Sequence, residues 1–242
     1  MNDWLARLSQ LPQQWFESPI AAIALTLGAY FFGIRLFKLV RRPSWCPPML
    51  IAAIVIAMVV ASLPIGIDDY NRGASWLMLL LGPATVALAV PLYQQLPQIR
   101  ALWKPILMTL PLSATLAACY AVIIAAIMGA PKDVLASLAP KSVTSPIALG
   151  LAEELGGSRA LLMGALLTTG ITAIFGVEWL SRILRIRDPR LIGLALGING
   201  HALGTVRAFE LGTVAGAFAS LGMSLTGAFT AIVLPLVWHL FY

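Results

Sequence analysis

Long apolar segments follow one another along nearly the whole chain, and this arrangement limits the fold more than any other feature. Each has about 20 residues, the length of an α-helix that crosses a bilayer core. The segments lie at residues 19–40, 47–65, 73–93, 106–128, 134–155, 160–184, 191–211 and 212–241. Charged residues make up only 11% of the chain, too few to cover a surface that faces water. The sequence therefore predicts an all-α polytopic membrane protein with about seven or eight membrane segments.

Little sequence remains between the segments, so we expect a single membrane domain over residues 1–242. Residues 1–17 carry spaced Trp, Leu and Phe side chains and are predicted to form an interfacial lead-in. Residues 18–129 and 130–242 form two halves, which we expect to be related as inverted repeats.

Basic residues concentrate in short connections, at residues 35–42, 100–104 and 182–190. Such clusters lie on the cytoplasmic side of membrane proteins, so they are topology signals and not a nucleic-acid surface. All three can be cytoplasmic only if residues 134–155 enter and leave the membrane on one side. We therefore predict a re-entrant hairpin there and place the N-terminus outside. Residues 191–211 either cross or form a second hairpin.

Three polar interruptions fall inside apolar segments, at residues 82–86, 139–146 and 199–210. Small residues and prolines free backbone groups, which survive at membrane depth only when they are buried in protein or line a wet cavity. Interruptions at corresponding places in two halves are the usual sequence mark of a transporter site. The residues predicted to break helices are Pro83, Pro140, Pro146 and Gly204.

Lys141 is the residue most in need of an explanation. A lysine inside an apolar segment costs about 2.5–3.5 kcal/mol unless its ammonium meets water, a carboxylate or an anionic ligand. Ser142 and Thr144 place hydroxyl groups beside it. The alternative is a loop at the interface from which Lys141 reaches the water.

Residues 191–211 carry a second cluster of polar side chains. Arg207 and Glu210 are three residues apart and can pair on one helix face, and His201 precedes them. One interpretation is an ion pair that lets the segment insert. The other is a guanidinium that holds a carboxylate, with Glu210 or His201 carrying a proton.

Enzyme signatures are absent from the sequence. It has no metal-ligand spacing, no glycine-rich phosphate loop and no nucleophile elbow. We therefore expect neither an enzyme nor a metal or organic cofactor.

Residues 82–93, 138–148 and 201–212 resemble, in order and spacing, three motifs of the LrgB/CidB family, and the likeness extends over about residues 20–240. The resemblance implies a protein of the bacterial inner membrane. Family members were described as antiholin-like modulators of murein hydrolase activity and autolysis, encoded beside a small holin-like partner of the LrgA/CidA type. Plastid members exchange glycolate and glycerate, and bacterial relatives are linked to pyruvate uptake.

From these observations we expect a secondary transporter or exchanger of small monocarboxylates such as glycolate, glycerate, lactate or pyruvate, coupled to H⁺ or Na⁺. The residues predicted to bind substrate are Thr85, Lys141, Ser142, Thr144, Thr205 and Arg207, and those predicted to couple transport are His201 and Glu210. The alternative is an antiholin-like regulator that assembles with a holin-like partner. A homo-oligomer is compatible with either function.

Overall fold

The computed structural model describes residues 19–40, 46–63, 66–87 and 89–241, and these residues form α-helices joined by short turns. The helices are α1 (Pro19–Leu39), α2 (Pro48–Ser62), α3 (Ile67–Leu79), α4 (Leu81–Ala87), α5 (Ala89–Gln94), α6 (Leu96–Ala101), α7 (Trp103–Ile127), α8 (Lys132–Leu138), α9 (Ser145–Glu154), α10 (Arg159–Ile183), α11 (Pro189–Leu211) and α12 (Thr213–Phe241). The all-α prediction is confirmed for the described residues. The predicted lead-in at residues 1–17 lies outside them.

Four of the described helices, α1, α7, α10 and α12, are long and apolar enough to cross a membrane. A helix of 25 residues, such as α7 or α10, is about 37 Å long, against a bilayer core of about 30 Å. The apolar helix α2 is shorter, at 15 residues. The chain is therefore a multi-pass membrane protein. The count of seven or eight segments and the inverted repeats stay predictions.

The described residues divide into two compact units, with the boundary after Ala87. In the first unit, the hydroxyl groups of Thr26 on α1 and Tyr70 on α3 are hydrogen-bonded at 2.8 Å. The chain leaves the helix at Leu80, and Pro83 lies in the first turn of α4. Proline is tolerated there because the first amides of a helix have no partner within it.

Residues 132–154 of the second unit form two short helices instead of one span. Helices α8 and α9 have 7 and 10 residues, about 10 and 15 Å, so neither can cross alone. The backbone amide of Ser158 donates to the hydroxyl of Ser137 at 2.7 Å. The residues that follow α9 therefore lie against α8, the helix with which this segment begins. This return is what the predicted hairpin requires, whereas its entry into the membrane from one side stays a prediction.

Ser137 closes this return, and its replacement by alanine is expected to lower the free energy of unfolding by about 1–2 kcal/mol. The side chain is fully buried, and its hydroxyl also donates to the carbonyl oxygen of Asp133 at 2.6 Å. Thermal unfolding in detergent measures the loss. Ser62→Ala is the control, because that exposed hydroxyl bonds only to its own helix. Equal stability of the two variants would contradict the role of Ser137.

Helix α11 is a hairpin of two arms and not a straight rod. Its backbone is non-helical at His201, where φ is 42° and ψ is −130°. Leu196 and Gly204 would be about 12 Å apart along a straight helix. Instead, a Cβ on Gly204 would lie 2.1 Å from the carbonyl oxygen of Leu196. The chain therefore folds back at His201, whereas a second hairpin that enters the membrane from the cytoplasm stays a prediction.

The helix break predicted at Gly204 thus falls three residues earlier, at His201. Gly204 has a different role, because its missing side chain lets the second arm lie against the first. The first arm packs against α12 in the same way. A Cβ on Gly193 or Gly197 would lie 2.1 or 2.0 Å from a carbonyl oxygen of α12. Small residues allow such close approach of helix backbones.

Candidate functional site

A cavity of about 340 Å³ with several polar side chains in a mainly apolar lining lies in the second unit, within the size range of small-molecule sites. It is bounded by α7, the turn between α8 and α9, α10 and the first arm of α11. Its polar lining residues are Tyr120, Ser142, Thr169, Thr172 and Asn199. These side chains supply hydroxyl and amide groups inside a helical membrane protein, so the cavity can hold a small polar molecule.

Lys141 lies directly beside this cavity and is 4% exposed. Its ammonium donates to the hydroxyl of Tyr120 at 2.8 Å, to the carbonyl oxygen of Ala117 at 3.1 Å and to the hydroxyl of Ser142 at 3.2 Å. It also lies 4.1 Å from the centre of the Tyr120 ring, a cation–π contact. The burial contradicts the alternative in which Lys141 reaches the water from an interfacial loop.

Within the part of the chain that the structure describes, the charge of Lys141 has no acidic partner. All three of its acceptors are neutral oxygens. Among the described residues, no carboxylate lies within ion-pair distance of the ammonium. A buried cation is stabilised by an opposite charge, so the arrangement favours a small anion in the adjoining cavity.

The break between α8 and α9 holds Lys141 in place. Helix α8 ends before the fully buried Pro140, and a turn bonds the amide of Val143 to the carbonyl oxygen of Pro140 at 3.2 Å. Helix α9 restarts with Pro146 in its first turn, a favoured position for proline. Thr144, in the N-cap position of α9, makes no capping hydrogen bond with its side chain and is not among the residues that line the cavity.

Sequence reasoning did not select Tyr120, Thr169 and Thr172. Thr169, Thr172, Ala173 and Gly176 follow a helical spacing of three and four residues on α10. A stripe of small and polar residues inside an otherwise apolar span is the signal that marks this face. Tyr120 gave no comparable signal, because its role depends on the position of Lys141.

His201 is buried at the hairpin of α11, and its Nε2 lies 3.0 Å from the carbonyl oxygen of Leu166. A carbonyl only accepts, so Nε2 carries a proton and donates it. Gly170 makes room for the ring, since a Cβ there would lie 3.2 Å from Cε1. Lys141 is close enough to interact electrostatically with His201. A coupling role for His201 stays a prediction.

Thr205 is not among the residues that line the cavity. The hydroxyl of Thr205 donates to the carbonyl oxygen of His201 at 2.8 Å and contacts the sulfur of Met223 at 3.5 Å. Its single hydrogen-bond donor is therefore used inside the fold. Thr85 belongs to the first unit, and its side chain lies outside the described part of the chain. A substrate contact by Thr85 stays a prediction.

Arg207 and Glu210 lie at a second site, away from the cavity beside Lys141. The Nη1 of Arg207 donates to Glu210 at 2.6 Å, as the spacing predicts, and its Nε donates to Glu178 at 2.6 Å. Glu178 also pairs with Arg182 at 3.6 Å. Two carboxylates hold the guanidinium, and Arg207 lines a different pocket from the one beside Lys141. The structure thus does not bring Lys141 and Arg207 together around one ligand.

The connection before α11 carries a local ion pair. Asp188 accepts from the backbone amide of Arg190 at 2.9 Å and from its guanidinium at 2.7 Å. These hydrogen bonds hold the pKa of Asp188 below its usual value of 3.8. The resulting stability is present above that value and is lost as the pH falls through the lowered pKa. Exposure to solvent keeps this contribution small.

Helices of membrane-crossing length define the class as a multi-pass helical membrane protein, and a buried lysine beside a cavity marks its candidate site. The chain belongs to the LrgB family, because the LrgB-like family model matches residues 26–240.

Several relatives match nearly the whole chain. An uncharacterised protein of Haemophilus influenzae is 35% identical over 90% of this chain and 94% of its own. Proteins named antiholin-like protein LrgB from Bacillus mycoides and Bacillus cereus are each 30% identical over 90% of this chain and 95% of theirs. No solved structure matches the chain.

Proposed function

We propose that this protein is an antiholin-like membrane protein that modulates murein hydrolase activity together with a small holin-like membrane partner. The observation that carries the proposal is the match to relatives named antiholin-like protein LrgB over 90% of this chain. The match also covers 95% of the relative, so the two chains share their whole membrane domain. The names of these relatives favour this function over transport.

The surface of α7 is compatible with assembly with a membrane partner. Large apolar side chains are exposed along its length, namely Leu107, Met108, Leu112, Leu116, Ile123, Ile124 and Ile127. In a membrane, such a surface packs equally well against lipid or against another helix, since both are apolar. A small holin-like protein would bind there through helix packing, without need of the polar cavity.

Deletion of the gene from its bacterium tests this function. We expect faster autolysis and higher murein hydrolase activity, because the modulating protein is absent, and restoration of both when the chain is expressed again. Expression of a Lys141→Met variant is expected to restore them too, since the partner surface does not include Lys141. Unchanged autolysis after deletion would contradict the antiholin-like function.

A second function, secondary transport of a small monocarboxylate, is favoured by one specific observation. The buried ammonium of Lys141 has only neutral acceptors and adjoins a cavity of about 340 Å³, within the range of ligand sites. A carboxylate there would supply the missing charge. The hydroxyl groups of Tyr120 and Ser142 and the amide of Asn199 would then contact hydroxyl or keto oxygens of glycolate, glycerate, lactate or pyruvate. His201 would be the titratable group that couples transport to protons.

Uptake by proteoliposomes tests transport directly. The purified protein is reconstituted, and entry of labelled glycolate, glycerate, lactate and pyruvate is followed under imposed pH and Na⁺ gradients. We expect saturable uptake of at least one of these solutes, with the effective gradient identifying the coupling ion. Uptake no faster than in empty liposomes, under every gradient, would exclude transport and leave the antiholin-like function standing.

A further inference from the structure

We propose that a second pocket, here called the arginine pocket, binds a phosphate group, either free phosphate or the headgroup of an anionic phospholipid. It has a volume of about 440 Å³ and is lined by Arg182, Arg185, Arg187 and Arg207 together with Glu178, a size typical of ligand sites. The end of α10 forms one side. Both ends of the α11 hairpin form the other, because the fold at His201 returns the second arm to the first. The proposal is independent of the functions proposed above.

The pocket carries more positive charge than its own acidic groups balance. Glu178 and Glu210 pair with Arg207, and Glu178 also contacts Arg182. These two carboxylates therefore match two arginines. Arg185 and Arg187 have no carboxylate within ion-pair distance among the described residues. Two unmatched guanidinium groups fit the negative charge of a phosphate, and the planar fork of each can donate two hydrogen bonds to its oxygens.

The backbone at Arg185 shows that an arginine is placed here despite its conformational cost. After α10, the amide of Arg185 bonds to the carbonyl of Arg182 and the amide of Ile186 to that of Ser181. This is a Schellman ending, which requires a left-handed residue and usually takes glycine. Arg185 has a φ of 55°, a conformation that strains a side chain with a Cβ.

The same ending occurs twice more in the described chain, and glycine takes the left-handed position both times. After α7, Gly129 has a φ of 78°, and after α9, Gly156 has a φ of 81°. The matching amide-to-carbonyl bonds are present at both places. The ending after α10 therefore has an arginine where the other two have glycine, and Arg185 is one of the two arginines whose charge is unmatched. Strain that a structure retains is often associated with binding.

The position of the pocket along α10 suits a lipid phosphate. Helix α10 is a candidate membrane span that ends at Ile183, and the pocket is lined by the last turns of this helix and by the residues that follow it. Ile186, Ile192 and Leu211 add an apolar side to its lining. A phospholipid presents its phosphate at this depth with apolar chains beside it, and basic pockets between membrane helices bind anionic headgroups.

The Arg185→Gly variant distinguishes a loss of phosphate binding from a loss of stability. Glycine relieves the left-handed strain, so we expect a thermal unfolding temperature at least equal to that of the wild type. Loss of one unmatched guanidinium is expected to weaken phosphate binding about tenfold. Arg187→Gln should weaken binding similarly without touching the left-handed position. Arg100→Gln is the matched control, because it removes one charge from another basic connection of the same unit.

Binding is measured on the full-length protein in detergent by native mass spectrometry with added phosphatidylglycerol or phosphatidylcholine, and by calorimetry with inorganic phosphate. Retention of phosphatidylglycerol alone, lost in Arg185→Gly and Arg187→Gln, identifies a lipid headgroup site. Saturable binding of inorganic phosphate, lost in the same variants, identifies free phosphate. The proposal is overturned if neither probe binds, or if both pocket variants bind as well as Arg100→Gln.

Discussion

Under the proposed transport function, replacement of Lys141 by methionine is expected to slow carboxylate uptake into proteoliposomes by about a hundredfold, because a bound carboxylate loses its charged hydrogen-bond partner. Methionine fills nearly the same volume without the charge. The ammonium is buried against neutral oxygens only, so its removal relieves a desolvation cost. We therefore expect the variant to unfold at a temperature no lower than that of the wild type, which separates a lost site from a lost fold.

Two further variants are the controls for this prediction. Lys141→Arg keeps the charge and should retain part of the uptake. Lys104→Met removes an exposed lysine at the start of α7 that lies over the Trp103 ring, and it should leave uptake unchanged. If Lys141→Met transports as well as Lys104→Met, the cavity beside Lys141 is not the substrate site. The autolysis assay would then decide whether the antiholin-like function alone accounts for the protein.

Gly197→Ala is expected to lower the free energy of unfolding by about 3 kcal/mol, through overpacking of α11 against α12. The added Cβ would lie 2.0 Å from the carbonyl oxygen of Ala219 and 2.7 Å from its carbon. These are backbone atoms, so no side-chain rotation can relieve the contact. The two helices must move apart, and this shift disturbs the arm of α11 that carries Asn199.

Gly164→Ala is the matched control for Gly197→Ala. Gly164 also lies within a helix, but a Cβ there would meet nothing within 4 Å. Alanine is the better helix former by about 1 kcal/mol, so this variant should be as stable as the wild type or more stable. Denaturant titration in detergent measures both variants. Equal stability of the two would show that α11 and α12 are not packed through Gly197.

Several features followed from local sequence alone. The length and apolar character of residues 106–128 and 160–184 predict membrane helices, because lipid leaves the backbone no partner except itself. The prolines of residues 140–146 predict a break, because proline removes a helix hydrogen bond wherever the rest of the chain lies. The pairing of Arg207 with Glu210 follows from their spacing on one helix.

Other features required the packing of distant segments. The hairpin of α11 turns at His201 and not at Gly204, since the turn is set by how tightly the two arms and α12 pack. Glu178 reaches Arg207 from another helix, so the guanidinium that seemed free for a ligand is held by two carboxylates. Neither the turn at His201 nor the contact between Glu178 and Arg207 can be read from the sequence around Arg207.

The apolar segments by themselves determined that the chain is a helical membrane protein with interrupted spans, because helix length and lipid solvation act on each segment separately. The tertiary structure decided which interruptions share a site. It joined Lys141 to Tyr120, 21 residues earlier in the chain, and set Arg207 beside a different pocket. Periodicity shows which face of a helix is polar, but only packing determines which other helix that face meets.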